Sequence, residues 1–454
     1  MAQQIHFIGI GGISLSALAI MLKKQGYKIT GSDICQNKET KMLQKNGIEV
    51  FIGHSQQNVK GANLVVFSSA IKPDNPEIIF AKNNHIKLIS RAELLGVVAS
   101  SHKKVIAISG THGKTTTTAM ISSILLKANK NPTIHIGANL PIINGNVRVG
   151  SKEYFVTEAC EYCNSFLTLK SYYAVILNVQ KDHMDYFSNL SNLQKSFKNF
   201  AKNTNKQGFL IVNNDDKFCR ALKTQSQKIS FAINSSAHVC AKNLKQNSRQ
   251  QYSFNLFVLG RNLGRIKLAA LGRHNVYNAL ASITIALLEG VSFCKIKQSL
   301  KHFKTCDRRF EKIKNCKAKI IHDYAHHPTE IIASIQTAKQ ITNKKLIVAF
   351  EPHTYSRTQY LWKEFCRCFN GADELVLCPI YAAREKPIEG ITSSKLASKI
   401  KNTGLITHSV ESLTECYDIL KQFNKKGNTI LILGAGTINT VAEMFKTKTK
   451  AKGN

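Results

Sequence analysis

No apolar run in this chain approaches the roughly 18 residues that a membrane-spanning helix needs, so membrane insertion is not expected. The stretch Met1 to Ile10 lacks a basic region ahead of an apolar core and a small-residue cleavage site. A secretory leader is therefore not expected, and the protein reads as cytoplasmic. Acidic residues are scarce: 28 Asp and Glu stand against 63 Lys and Arg, a formal charge of +35. Zinc-finger spacing and an RNP-type aromatic motif are both missing, and the only compact basic tract is Lys446 to Lys452. The charge therefore reads as a compositional bias on a solvated surface, and no nucleic-acid partner is expected. The twelve cysteines are scattered along the chain. The close pairs Cys160/Cys163 and Cys366/Cys368 lack a matching second half, so neither a disulfide scaffold nor a zinc site is expected. No repeat of roughly 20–50 residues is visible.

What is present is an α/β pattern. At about 150 residues per domain, 454 residues point to three domains. Hydrophobic residues make up 43%, enough for real cores, which excludes a disordered polycation. The first segment reads as a strand at Gln4 to Ile10, a Gly-rich turn at Gly9 to Ser14 and a helix over Leu15 to Lys24. A second strand at Tyr27 to Thr30 follows, with Asp33 after it, and Leu64 to Ser68 is a later strand. Glycines at such a turn let backbone approach a diphosphate at a helix N-terminus, the start of a Rossmann-like unit. Ser14 stands at the sixth position, so the dinucleotide fingerprint is incomplete.

A second strand-to-helix start runs from Lys104 to Ser109 into Gly110-Thr111-His112-Gly113-Lys114-Thr115-Thr116, then a helix to about Lys127. This is a shortened phosphate loop, since full Walker spacing wants glycine at Ile108. Its backbone N–H groups face phosphate oxygens, Lys114 adds a point charge, and Thr115 can hold Mg²⁺. Strands at Tyr154 to Thr157 and Tyr173 to Val179 run to Glu158 and to Asp182-His183-Met184-Asp185. Polar groups beyond strand ends lie where open α/β sheets bind ligands, and could complete a metal shell. After about Cys306 the alternation restarts, with strands at Lys345 to Phe350, Glu374 to Pro379, Gly404 to Ser409 and Thr429 to Leu433. The expected class is α/β with three domains. A Rossmann-like domain spans 1–103, a central P-loop ATPase-type α/β domain 104–306, and a Rossmann-like C-terminal domain 307–454.

The motifs occur in one order: Gly9-Ile10-Gly11-Gly12, Gly110 to Thr116, Asp182 to Asp185, Gly272-Arg273-His274-Asn275-Val276-Tyr277-Asn278, Arg308-Arg309-Phe310-Glu311, and Asp323-Tyr324-Ala325-His326-His327-Pro328-Thr329-Glu330. Over nearly the whole chain this resembles the Mur ligase family. The resemblance implies ATP-dependent joining of L-alanine to the lactyl carboxylate of UDP-N-acetylmuramate through an acyl phosphate, with Mg²⁺ as cofactor. A sister member adding a later amino acid or a recycled peptide is the alternative. The resemblance places Gly11, Gly12 and Ser69 at the UDP-sugar, Gly110 to Thr116 on ATP, and Asn275 and Asn278 at the adenine. It puts Thr115, Glu158 and His183 at the metal. Arg309 and Asp323 become nucleotide contacts, and His326, His353 and Arg357 line the amino-acid and acyl side. Catalytic roles fall to Lys114, Glu158, His183, Arg309 and Asp323.

Some positions depart from the family pattern. Cys160 and Cys163 stand where many relatives carry acidic or small residues, Gln180 replaces an acidic residue, and Thr354 stands where some have arginine. Some members carry a carbamoylated lysine near the metal; Lys198 is the candidate here, against the reading of it as a surface-helix lysine. Three substrates on three domains imply a closure that keeps water from the acyl phosphate. A nicotinamide dehydrogenase would explain Gly9 to Asp33 but not the second phosphate loop. A nucleic-acid-binding ATPase would explain the charge and that loop, and would show salt-steep binding. Oligomeric state stays open.

Overall fold

Parallel strands alternating with helices build three sheets in a computed structural model that describes residues 3–450, with side chains through Lys446. Met1, which opens the stretch read for a leader, and Lys452, which closes the basic tract, lie outside the described residues. Two compact units emerge. One comprises the chain up to Val179 with Gln194–Val239 and Ala279–Ser299; the other comprises Gln180–Leu193, Cys240–Asn278 and the chain from Leu300 onward.

The first unit holds two sheets. Its N-terminal sheet has five parallel strands in the order Glu49–Ile52, Lys28–Asp33, Gln4–Ile8, Leu64–Phe67 and Lys87–Ser90. The order reverses beside Gln4–Ile8, a switch point where α/β sheets take ligands. The strand Lys28–Asp33 runs three residues past the expected end at Thr30. Ser32 and Asp33 pair with Phe51 and Ile52, so pairing overrides the turn tendency of Gly31 and Ser32. The helix Ile13–Lys24 buries Leu15 to Leu22 against this sheet and its surroundings.

The second sheet in this unit runs Gln227–Ala232, Phe209–Asn213, Tyr173–Ile176, Lys104–Ser109, Tyr154–Glu158, Thr133–Leu140 and Gly145–Arg148. All but the last pair in parallel. Lys104–Ser109 lies between Tyr173–Ile176 and Tyr154–Glu158, so the segments leaving these three strands are neighbours at one sheet edge. The inserted piece Ala279–Ser299 is anchored here by Glu289, whose buried carboxylate receives Lys104 Nζ at 3.0 Å, the Tyr154 hydroxyl at 2.5 Å and the Tyr173 hydroxyl.

The second unit carries a six-stranded sheet ordered Glu311–Ile313, Lys319–Asp323, Thr429–Leu433, Leu346–Phe350, Glu374–Leu377 and Ile406–Ser409. Only the first strand is antiparallel to its neighbour. Alternate residues feed two cores: Ile321, Val348, Phe350 and Leu431 on one face, Ile320, Ile347, Ala349 and Ile430 on the other. Both faces are covered, as a parallel sheet requires. An antiparallel ribbon of Gln251–Val258 and Arg261–Leu271 belongs to this unit as well. Lys446, the part of the basic tract with a described side chain, pairs with Glu311 at 2.8 Å and Glu443 at 2.9 Å.

Candidate functional site

The phosphate loop forms where the strand Lys104–Ser109 meets the helix Lys114–Lys127. Gly110 has φ +133°, and a Cβ there would stand 3.0 Å from Leu177 Cβ; Gly113 has φ +87° at the helix N-cap. Only glycine holds such a path without strain. Asn178 clamps the loop: its carbonyl accepts the Thr111 N–H at 3.0 Å, its Oδ1 accepts the His112 N–H at 2.9 Å, and its Nδ2 donates to the His112 carbonyl at 3.1 Å. The expected strand to Val179 therefore ends at Ile176, because Asn178 turns to hold the loop. The Thr111 and His112 amides are turned to Asn178, so of the loop donors expected to face phosphate, those that remain are the first-turn N–H groups of the helix beginning at Lys114.

Lys114 folds back over its own loop. Its Nζ donates to the Gly110 carbonyl at 2.6 Å, the Thr111 carbonyl at 3.1 Å and both Glu161 carboxylate oxygens at 3.0–3.2 Å. Burial works against the charge, but Glu161 outweighs it and holds the lysine above its ordinary pKa. Glu158 ends its strand with Oε2 accepting the Thr115 hydroxyl at 2.9 Å and Oε1 accepting the Gly137 N–H at 2.6 Å. Thr115 and Glu158 thus present two oxygen donors side by side. That donor set fits Mg²⁺, which takes one or two protein oxygens and fills its shell with phosphate and water.

His183 belongs to the second unit. Its backbone is left-handed, with φ +56°, at the head of the short helix Met184–Phe187. Asp182 stands beside it. Its Oδ1 accepts the His183 N–H at 2.8 Å, Arg357 Nε at 3.1 Å and Arg357 Nη2 at 3.0 Å. Burial alone would raise the Asp182 pKa; Arg357 overrides it and holds the carboxylate well below its usual range. Arg357 also places Nη1 3.0 Å from His353 Nδ1. The His326 and His353 rings lie 5.7 Å apart, and the Tyr381 ring lies 5.5 Å from His353, tilted by 45°. Burial, reinforced by Arg357, pushes His326 down to about 3 and His353 down to about 4, so both imidazoles are neutral near pH 7. Lys181, Asp182, His183, Asp185, Arg357 and Tyr360 line a shallow, solvent-open cleft in this unit.

The remaining expected nucleotide residues also lie in the second unit. Asn275 and Asn278 are buried at the start of the helix His274–Leu288, with Asn278 Nδ2 donating to Asn275 Oδ1 at 2.9 Å and Asn275 Nδ2 to the Leu271 carbonyl at 2.6 Å. Two guanidinium groups stand over the Tyr324 ring, Arg308 at 4.7 Å and Arg309 at 4.8 Å from its centroid. Asp323 accepts the Ser334 hydroxyl at 2.5 Å, and burial pushes its carboxyl up. Lys198 is exposed on the helix Leu190–Lys202, in the part of that helix that belongs to the first unit.

At the N-terminal sheet, the Gly11 N–H donates to Asp33 Oδ2 at 2.8 Å, and a Cβ on Gly11 would strike Asn37 and Asp33 at 2.7–2.8 Å. Gly12 caps the helix Ile13–Lys24 without a side-chain hydrogen bond, and Ser69 is exposed on the turn across the switch point. Sequence reasoning did not single out Asn178 or Glu161, and gave Asp182 only a place among polar groups that could complete a metal shell. Each lies within three positions of a strand end or a site residue, which is the signal that was there to read.

Comparison with known proteins covers the same ground. Family models match in sequence order: the Mur ligase family catalytic domain over residues 4–103, the Mur ligase middle domain over 108–286, and the Mur ligase glutamate ligase domain over 308–436. The UDP-N-acetylmuramate–L-alanine ligase of Clostridium botulinum is 44% identical over 98% of this chain and 97% of that protein. The crystal structure of the UDP-N-acetylmuramate-alanine ligase MurC from Thermotoga maritima superposes with a TM-score of 0.85 at 27% identity, covering 99% of both chains. A murein peptide ligase from Psychrobacter arcticus shares the fold at a TM-score of 0.74 and 22% identity over 99% of each chain.

Proposed function

The chain belongs to the Mur ligase family, and from that membership we propose that it joins L-alanine to the lactyl carboxylate of UDP-N-acetylmuramate, with ATP converted to ADP and phosphate. The observation that carries this reading is the 44% identity to an L-alanine ligase across 98% of the chain. The likeness to the murein peptide ligase is one of fold, so the reading with a recycled peptide is not favoured. The reaction belongs to peptidoglycan precursor synthesis. We place it in the cytoplasm, where nucleotide substrates are made; among the described residues no helix is long and apolar enough to cross a membrane.

The work divides over the spans 1–103 for the UDP-sugar, 104–306 for ATP and 307–454 for the amino-acid side. Transfer of the γ-phosphoryl to a carboxylate brings two anions together. Lys114 and the N–H groups at the start of its helix offset that charge, which is electrostatic preorganisation. When bound, Mg²⁺ would neutralise phosphate charge; Thr115, Glu158 and His183 are the residues assigned to hold it. For phosphates to take Lys114, Glu161 must yield its place on the ammonium. Arg309 and Asp323 contact the nucleotide, with Asn275 and Asn278 at the adenine. L-Alanine attacks as the neutral amine. His326 and His353, neutral at the working pH, can accept or donate a hydrogen bond there without adding a second positive charge beside Arg357.

The test is phosphate release from ATP with UDP-N-acetylmuramate and each amino acid in turn, with product mass measured. L-Alanine should be the best acceptor, with serine and glycine weak, since one methylene is worth only about 1–3 kcal/mol in a pocket. D-Glutamate or a tripeptide as the best acceptor overturns the reading.

A further inference from the structure

Arg91 opens the helix Arg91–Ser100, at the positive end of its dipole, where a cation is poorly placed. The acidic residue of that first turn is already used: Glu93 Oε2 accepts the Ser90 N–H at 2.7 Å while the Ser90 hydroxyl accepts the Glu93 N–H at 3.2 Å. Arg91 Nη1 instead donates to Ser14 Oγ at 3.3 Å. Ser14 lies in the first turn of the helix Ile13–Lys24, two residues after Gly12, and that turn has no acidic residue. A guanidinium therefore meets the positive end of the helix Ile13–Lys24 beside the Gly9–Gly12 loop. Among the described residues no carboxylate pairs with Arg91. Its side chain is half-buried, and burial pulls its pKa below that of an ordinary arginine. A partly desolvated cation without a counter-ion is costly, and an anion entering the cleft relieves it.

The wall behind Ser14 is fixed. Thr157 Oγ1 donates to the Glu158 carbonyl at 3.1 Å, so its oxygen accepts from His135 Nδ1 at 3.0 Å. His135 Nε2 then accepts the Ser14 hydroxyl at 3.0 Å, and Ser14 turns its lone pairs to Arg91. His135 is buried, and its burial with Arg91 nearby pushes it down to about 4, so the imidazole stays neutral. This chain holds one edge of the guanidinium and leaves its other N–H groups for a ligand.

We propose that Arg91 binds the diphosphate of the UDP-sugar and fixes where the sugar leaves the Gly9–Gly12 loop. The proposal rests on the ligase reading above. A diphosphate suits the place because the N-terminus of the helix Ile13–Lys24 and a planar donor fork can share its oxygens, and a fork grips phosphate with paired hydrogen bonds. The lactyl carboxylate is the rival anion.

The experiment measures binding of UDP-N-acetylmuramate, UDP-N-acetylglucosamine, uridine and ATP to the full chain by titration calorimetry. UDP-N-acetylglucosamine keeps the diphosphate and lacks the lactyl carboxylate; uridine lacks both. Arg91→Ala should weaken both UDP-sugars by the same factor, about 10- to 100-fold, and leave uridine and ATP at wild-type affinity. Arg91→Lys should recover only part of the loss, because a point charge cannot reproduce the fork. Unchanged affinity for both UDP-sugars overturns the proposal. So does a loss confined to UDP-N-acetylmuramate, which assigns Arg91 to the carboxylate, or a loss that extends to uridine, which shows a collapsed loop. A wild-type chain that binds neither UDP-sugar removes the ligase reading itself, a result distinct from any behaviour of the variants.

Discussion

Lys114 keeps its charge against burial because Glu161 and two loop carbonyls surround its ammonium. The same group is the cation expected at the phosphates. Lys114→Ala should therefore lower ligation by about 10²–10³ in rate while the fold survives. Coupled phosphate release beside circular dichroism checks it, and near wild-type turnover would remove Lys114 from the site. Glu77 is a different kind of buried charge. Its carboxylate, fully buried, accepts Ser32 Oγ at 2.5 Å and Asn58 Nδ2 at 2.6 Å, with His6 at 3.7 Å and His54 at 3.2 Å. Burial raises its pKa, and the nearby His6 imidazole with the bonds from Ser32 and Asn58 outweighs that, taking it from 4.5 down to about 2. A folded pKa below the unfolded one adds stability above the unfolded value, and that stability is lost as pH falls from about 4.5 towards 2. At 1.36 kcal/mol per pH unit, the contribution is about 3 kcal/mol. Urea unfolding followed across that window should show wild type losing about 3 kcal/mol more than Glu77→Gln. Parallel curves for the two chains would show that Glu77 does not titrate on unfolding.

At the scale of elements, legibility follows what a motif demands of its own backbone. The two Gly-rich turns could be read because φ values such as +133° at Gly110 write glycine into fixed places beside a strand and a helix. Strands such as Lys104–Ser109 and Thr429–Leu433 could be read because parallel strands buried on both faces are continuous apolar runs. Partnerships between elements could not. Asp182 and Arg357 are 175 positions apart, and no local pattern states that the segment after Val179 packs against the helix Tyr355–Tyr360. Arg357, expected to line the amino-acid and acyl side, has its Nε and Nη2 on Asp182 and its Nη1 on His353. Its effect on ligation should therefore pass in part through Asp182 and the His183 backbone. Arg357→Lys and Asp182→Asn should each impair ligation far more than ATP binding. Combined, they should fall short of additivity by about 0.5–3 kcal/mol, as contacting residues do. Full additivity in kcat/KM would mean that the two side chains act separately.

For the whole molecule, the charge of +35 raises the question of polyanion binding. DNA or RNA should not stimulate phosphate release by this enzyme, and a clear stimulation at physiological salt would favour the nucleic-acid ATPase instead. Chain threading has its own outcome. The backbone passes from one unit to the other after Val179, Leu193, Val239, Asn278 and Ser299. A protease site placed at exposed Ser236 would give two fragments, and neither would be a unit. The N-terminal fragment lends Gln180–Leu193, with Asp182, to the second unit; the C-terminal fragment lends Ala279–Ser299, with Glu289, to the first. Each loan is sealed by a buried anchor, Asp182 on Arg357 and Glu289 on Lys104, Tyr154 and Tyr173. The nicked chain should run as two bands on a denaturing gel and as one on a native gel, the halves interlocked like clasped hands. Separation should require unfolding, and two co-expressed halves should complement each other in the cell where neither alone can.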